Sequence, residues 1–256
     1  YPTWTQFSMP HERYLVRREI PDSNPMTLAY RKFKKERPFK ERYYFSPEGF
    51  FRNGYIKTQY SDIAKYNEEH GTKHTSYANV RLDRELPSGP GRTEKEREDW
   101  LFFTRNVVAM LWLRADAAAT PIYQEYLRSR YGRIENLNRG YRTNYASFEE
   151  VPLIDEPPQP GAAFTDWDLF FQGWKDPDIG KLHILPAEMI RVHSVDLMFR
   201  EHLKQKYGTI MAANDALGTA YKHWMEIVPP QHDAHIVEFQ TRKGELRWEF
   251  VKRNYI

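Results

Sequence analysis

The sequence predicts a mainly α fold: a helical domain built on three helix-hook repeats, preceded by an extended or partly β N-terminal arm. Three observations lead there. The first is a phrase that recurs without gaps at Tyr60–Val80, Tyr131–Val151 and Tyr207–Ile227, and a repeat of this kind outranks any local signal in deciding a fold. The second is helical spacing of apolar residues before and between the copies, as in Trp100, Phe103 and Val107. The third is the scatter of Pro2, Pro10, Pro21, Pro25 and Pro38 over the first 45 residues, which interrupts any sustained helix.

Each copy opens on a tyrosine (Tyr60, Tyr131, Tyr207), with an isoleucine three residues on (Ile63, Ile134, Ile210) and then an asparagine (Asn67, Asn138, Asn214). A threonine follows (Thr72, Thr143, Thr219), then a ring (Tyr77, Phe148, Trp224) and a β-branched residue. The opening tyrosine, the isoleucine and the residue before the asparagine lie at i, i+3 and i+6, on one helical face. Gly71 and Gly218 fit a left-handed helix stop, the threonine is placed to cap the next turn, and Arg142 predicts a different stop in the second copy. Each copy therefore reads as a helix, a hook and a ring that locks the hook. The alternative is that the polar hook tips line a surface and hold a polar ligand.

Along the chain, the arm is expected to be extended, with Tyr14–Ile20 as a short strand. Ser46, Pro47 and Glu48 mark a helix start, and a helix is expected from about Pro47 to Glu69. Thr93 and Glu96 form a capping-box pair ahead of the most hydrophobic helix, read as continuing through Met110, Leu111 and Arg114. One helix is expected over Tyr123–Tyr141 and another from Pro186 to about Leu217, with Trp174–Leu185 as a loop. Asp166–Phe171 (DWDLFF) echoes Asp99–Phe103 (DWLFF), so the element between copies is expected to recur too. The whole of 1–256 is expected to be one domain, with repeat units at about 46–87, 93–160 and 164–230. Residues 231–256 are read as the start of a truncated fourth unit, because EFVKRNY at Glu249–Tyr255 matches the lead-ins EYLRSRY and EHLKQKY.

Composition narrows the function. The 256 residues carry 29% charged and 15% aromatic side chains at a mean hydropathy of −0.79, a chain with a large core built of rings rather than aliphatic runs. The longest apolar run, Val107–Leu113, is well short of the ~20 residues of a membrane helix. With 38 basic and 35 acidic residues, the charge is too balanced to imply nucleic acid. The basic block Arg31–Arg42 reads as a solvated surface, or as a contact with a partner or lipid headgroups. Cysteine is absent, which removes disulfides and thiolate chemistry.

Candidate chemistry is sparse. Asn67-Glu68 has the form of a glycosidase acid/base pair, but the other copies put Arg139 and Asp215 in place of Glu68. His232 and His235 lack an obvious third ligand, so neither a metal nor a cofactor is expected. Large rings outside the helix stripes, Trp4, Trp167 and Trp174, are the expected binding surface for a sugar face or a partner.

The second copy, within YLRSRYGRIENLNRGYRTNYASFEEVPL, resembles a non-catalytic stretch of the family 42 β-galactosidases, where a similar phrase follows the barrel strand that carries the acid/base. The three hooks together with Arg253, Asn254 and Tyr255 resemble the extracytoplasmic insertion of bacterial carbohydrate ABC transporter permeases. That resemblance implies a periplasmic location at the inner membrane, flanking membrane segments, and docking to a solute-binding protein, to other transporter subunits or to the carbohydrate. No catalytic residue is implied, and an excised segment of a larger membrane protein is expected. A carbohydrate-active enzyme, or a binding domain derived from one, is the alternative.

Overall fold

The computed structural model describes residues 24–38 and 46–229. The chain is mainly helical. It divides into two compact units, residues 44–197, and residues 1–43 together with 198–256.

Helix α1 covers Pro25–Lys35, so this part of the arm is helical rather than extended. Asn24 accounts for it: its side-chain oxygen accepts from the N–H of Met26 at 2.9 Å and of Thr27 at 3.2 Å, and Pro25 occupies the first turn, where its missing N–H is not needed. Met26, Tyr30 and Phe33 then bury one face. The rest of the arm, including Trp4 and Tyr14–Ile20, lies outside the described residues, as do 231–256 with His232, His235 and Arg253–Tyr255.

In the larger unit, α2 (Pro47–Phe50) starts where Ser46 caps the N–H of Gly49. It widens into a π-helical turn, Phe51–Ile56, before α3 (Lys57–Gln59). Gly54 permits this turn, since a Cβ there would lie 2.4 Å from the Phe50 ring. The chain then breaks at Tyr60 and re-enters helix as α4 (Ile63–His70), capped by Asp62. After the hook come α5 (Glu94–Asn106), with the Thr93/Glu96 capping box present, and strand β1 (Leu113–Ala115). The second copy repeats the plan as α6 (Thr120–Tyr131), α7 (Ile134–Tyr141) and α8 (Ala162–Gln172). A hairpin of β2 (Trp174–Lys175) and β3 (Leu182–His183) follows, then β4 (Ile190–Val192). The third copy is α9 (Val195–Tyr207) and α10 (Ile210–Leu217).

Each continuous helix expected across a copy is therefore broken, at Tyr60 in the first and just after the opening tyrosine in the other two, and the third starts at Val195 rather than Pro186 because Ile190–Val192 is strand β4. Gly132 and Gly208 take positive φ at the break in the second and third copies, and Asp62 does the work in the first by accepting from Lys65 N–H. The helix expected through Arg114 also stops early, at Asn106. Leu113 and Ala115 are buried while Arg114 is half-buried, the alternation of a strand. Residues 174–185, expected as loop, form the hairpin.

Strands β1 and β4 occupy corresponding places in the two copies and pair antiparallel, with Arg114 opposite Arg191 at the centre. The bonds around them come in reciprocal pairs. Ala115 N–H donates to Asp155 O at 3.0 Å, as Val192 N–H donates to Arg84 O at 2.7 Å. Asp116 N–H donates to Met189 O, as His193 N–H donates to Trp112 O. Arg191 lies 3.1 Å from Glu85, and Arg114 lies 4.0 Å from Glu156. The two copies are thus joined about a local two-fold axis. Their core is one cluster in which Trp100, Phe103, Tyr126, Trp167, Phe170 and Phe171 are fully buried.

In the smaller unit, Tyr30 and Phe33 of α1 pack on Phe199 of α9 with ring centroids 4.9 and 5.4 Å apart. Arg200 donates from Nε to Ile227 O at 2.7 Å, tying the third hook to its own helix.

Candidate functional site

The three hooks share one geometry. In the first, the side-chain oxygen of Asn67 accepts from Thr72 Oγ1 at 2.7 Å and from His74 N–H at 2.9 Å, while its amide nitrogen donates to His74 O at 2.9 Å. Asn138 makes the same three bonds to Thr143 and Tyr145, and Asn214 to Thr219 and Tyr221. The asparagine amide imitates a strand edge, pairing with both the N–H and C=O of a residue seven positions on. The threonine orients that amide and does not cap the next turn. The residue closing each helix is left-handed in all three copies, Gly71, Arg142 and Gly218, at φ of 63, 58 and 65°. Arg142 therefore keeps the common stop, against the expectation of another geometry, because the clamp formed by Asn138, Thr143 and Tyr145 overrides the residue's own preference.

Beneath the first two hooks lie buried carboxylates that the DW echo marks. Asp99 on α5 accepts from Tyr55 Oη at 3.1 Å and from Tyr60 Oη at 2.5 Å, and lies 2.9 Å from His70 Nε2. Asp166 on α8 accepts from Tyr131 Oη at 2.6 Å and Tyr141 Oη at 2.9 Å, and pairs with Arg130 Nε at 2.6 Å. The following tryptophans match as well: Trp100 donates its indole N–H to Asp83 O at 2.9 Å, and Trp167 to Ile154 O at 3.1 Å. Burial pushes the Asp99 carboxyl up, but the hydrogen bonds from His70 and Tyr60 outweigh it and hold the group below the usual carboxylate range. Burial and then the bond to the carboxylate push the Tyr60 and Tyr131 hydroxyls above their ordinary value, so both remain donors. Each cluster staples the helix after a hook to the tyrosine that opens it.

Asp99 also borders a cavity of about 20 Å³, lined by Tyr66, His70, Arg92 and Glu96 among others. That is room for a single water, far below the ~300 Å³ at which ligand pockets begin. A wider open groove of about 530 Å³ runs beside the second hook, lined by Arg128, Arg133, Glu135, Ser147, Phe148 and Glu149. Arg128 spans it, ion-paired with Glu149 and set 5.6 Å above the Phe148 ring. Lys57 lies over Tyr77 in the same way in the first copy, also at 5.6 Å.

The residues expected to bind divide accordingly. Trp167 is a core ring with 0% exposure and not a surface platform, because its place on α8 turns it inward toward Ile154. Trp174 is half-buried in the β2–β3 hairpin against Tyr126, with Arg130 5.9 Å from its ring. Trp4 is outside the described residues. The hook asparagines and threonines come together as internal fasteners. Glu68 is exposed beside Asn67 and takes no part in the Asp99 cluster, and among the described residues no group of three or more His, Asp or Glu side chains could hold a metal ion. Tyr55, Tyr126 and His70 were missed as partners of the carboxylates. The echo of DW would have located the acids, but their donors lie 25 to 44 residues away in sequence.

No protein-family model, curated protein or solved structure matches this chain.

Proposed function

We propose that this chain is the extracytoplasmic domain of a sugar-importing ABC transporter permease and acts without catalysis, by docking a solute-binding protein or by contacting the carbohydrate. The reading begins with the hook phrases and the RNY phrase at Arg253–Tyr255. The observation that carries it further is the inward use of the repeat's polar groups: all three asparagine–threonine pairs, and the buried Asp99 and Asp166, are occupied by partners within the chain. In this reading such a scaffold offers its outer helix faces and grooves to a partner. The groove of the second hook, lined by Arg128, Arg133 and Glu135 with Glu149 of the hook itself, has the mixed polarity of a transient protein or glycan contact. In this reading the membrane is reached through flanking segments, and the domain faces the periplasm.

The test is binding of the purified chain to the solute-binding protein encoded beside it, with and without sugar, by calorimetry. Arg128→Ala/Arg133→Ala is expected to weaken binding at least fivefold. Wild-type binding that is absent at millimolar protein, together with release of sugar from aryl glycosides, would replace this reading with the carbohydrate-active enzyme favoured by the family 42 likeness.

A further inference from the structure

By sequence, residues 1–43 with 198–256 carry 19 basic and 12 acidic side chains, while residues 44–197 carry 19 basic and 23 acidic. The nearly balanced chain is thus a basic smaller unit and an acidic larger one. The block Arg31–Arg42 holds seven of the basic residues, and its described part is not a uniformly solvated surface. Lys34 is 2% exposed and lies over the Tyr30 ring at 5.7 Å, and Arg37 lies over Phe33 at 5.1 Å. Lys32 is exposed.

Helix α9 places further cations beside Lys32. Lys206 lines the same cleft, a space of about 120 Å³ between α1 and α9 that Phe33, Glu36 and His202 also border. Lys204 is exposed in the same last turn of α9. Among the described residues, no carboxylate lies within ion-pair distance of Lys32, Lys204 or Lys206; Lys206 rests 4.8 Å from the ring of Tyr207. Their field reaches His202. Burial first, then Lys206, with Arg37 and Lys32 in the same sense and Glu36 against them, holds that imidazole below its ordinary value. Lysines in a last turn complement the helix dipole, but each C-terminus carries only about half a negative charge. The ends of α1 and α9 together offset one of the three lysines.

Apolar side chains accompany the cations. Leu28 is 48% exposed, one turn before Lys32 on the same face of α1, and Met211 is 73% exposed on α10, which packs against α1. Leucine, methionine and lysine on one small unit suit the headgroup boundary of a bilayer, where ammonium groups meet lipid phosphates and apolar side chains enter the layer below. A nucleic-acid backbone would use the cations and leave the apolar residues in water.

We propose that the α1–α9 face of the smaller unit docks on anionic phospholipid, with Lys32, Lys204 and Lys206 on the headgroup phosphates and Leu28 at the apolar boundary. The choice of a bilayer rests on the transporter reading, in which flanking segments join this unit to a membrane. An anionic surface attracts the smaller unit and repels the larger one.

The experiment mixes the whole 256-residue chain with vesicles of phosphatidylcholine, alone or with an equal part of phosphatidylglycerol, and measures the bound fraction by flotation. Binding is expected to the phosphatidylglycerol vesicles only, and is lost as added salt shortens the Debye length. Lys32→Gln/Lys204→Gln/Lys206→Gln should weaken it about a hundredfold, at roughly fivefold per lysine. Lys65→Gln/Lys73→Gln/Lys175→Gln removes the same charge from exposed positions of the larger unit and should leave binding nearly unchanged. If the first triple variant does not fold, Lys32→Gln and Lys206→Gln singly, each about fivefold weaker, decide. Equal binding to both kinds of vesicle, no binding to phosphatidylglycerol at low salt, or equal losses in the two triple variants would overturn the proposal. So would tighter binding to duplex DNA in the same buffer, or release from vesicles by inorganic phosphate beyond that by chloride at matched ionic strength, the mark of a site for the free anion. Lipid is absent from the calorimetric test of partner docking, so either result can fail without the other.

Discussion

At the scale of single residues, the hook asparagine does the most with the fewest atoms. Its amide makes three bonds, to the threonine hydroxyl and to both polar groups of one backbone residue. Asn138→Ala leaves Thr143 and the Tyr145 backbone without their partner, and is expected to lower stability by about 2 to 3 kcal/mol, measured as a shift in urea midpoint at constant slope. A cost under half a kcal/mol would mean that water replaces the amide freely. Arg142 is the opposite case, a residue at φ 58° where its siblings are glycine. Arg142→Gly should relieve a backbone penalty of about 1 kcal/mol, less the added freedom of the unfolded chain, and raise the melting temperature by a degree or two. A lower melting temperature would show that the arginine side chain contributes more than its backbone costs. The repeat and its fasteners were legible in sequence because asparagine, threonine and glycine recur at fixed spacing. The stop at Arg142 was not, since residue type reports a preference while the surrounding clamp decides the conformation.

At the scale of elements, the joint between hook and following helix is a buried acid with phenolic donors. Asp99 is held below its ordinary range, so its contribution is complete above the unfolded value of ~3.9 and disappears as pH falls through the folded value. Asp99→Asn should therefore flatten the acid side of the melting profile between pH 5 and 2 while destabilising the protein at pH 7. An unchanged acid slope would assign that limb to other carboxylates. The two DW phrases made the pair of acids legible as a recurring element. Their tyrosine partners were not, because a contact from α5 to the π-helical turn and to Tyr60 just after α3 leaves no mark at helical spacing. Trp167 was misread for a related reason: a tryptophan near an element's start has no visible orientation until the helix register is known. The same limit hid the breaks at Tyr60 and after Tyr131 and Tyr207, where apolar spacing carries on across two or three non-helical residues.

At the scale of the molecule, residues 44–197 hold a continuous aromatic core and their own closed network of ties. A fragment of those residues is expected to fold alone, with a single cooperative thermal transition and dispersed amide resonances. A fragment that melts without cooperativity would show that the remaining chain is required. The mainly helical class was legible from the repeat and from apolar spacing. The paired strands were not, because three-residue strands sit inside longer apolar runs and take their identity from a partner about 77 residues away.

That pairing has a consequence of its own. Where the backbone bonds across a joint have counterparts with the roles exchanged, as they do here, the contact is isologous, the kind a surface makes with a second copy of itself. Half of this unit therefore carries the complete instructions for finding its twin, and the peptide connecting the halves raises their local concentration instead of supplying the fit. A third half brought to the same axis would find both places taken. Two is the number at which this assembly closes.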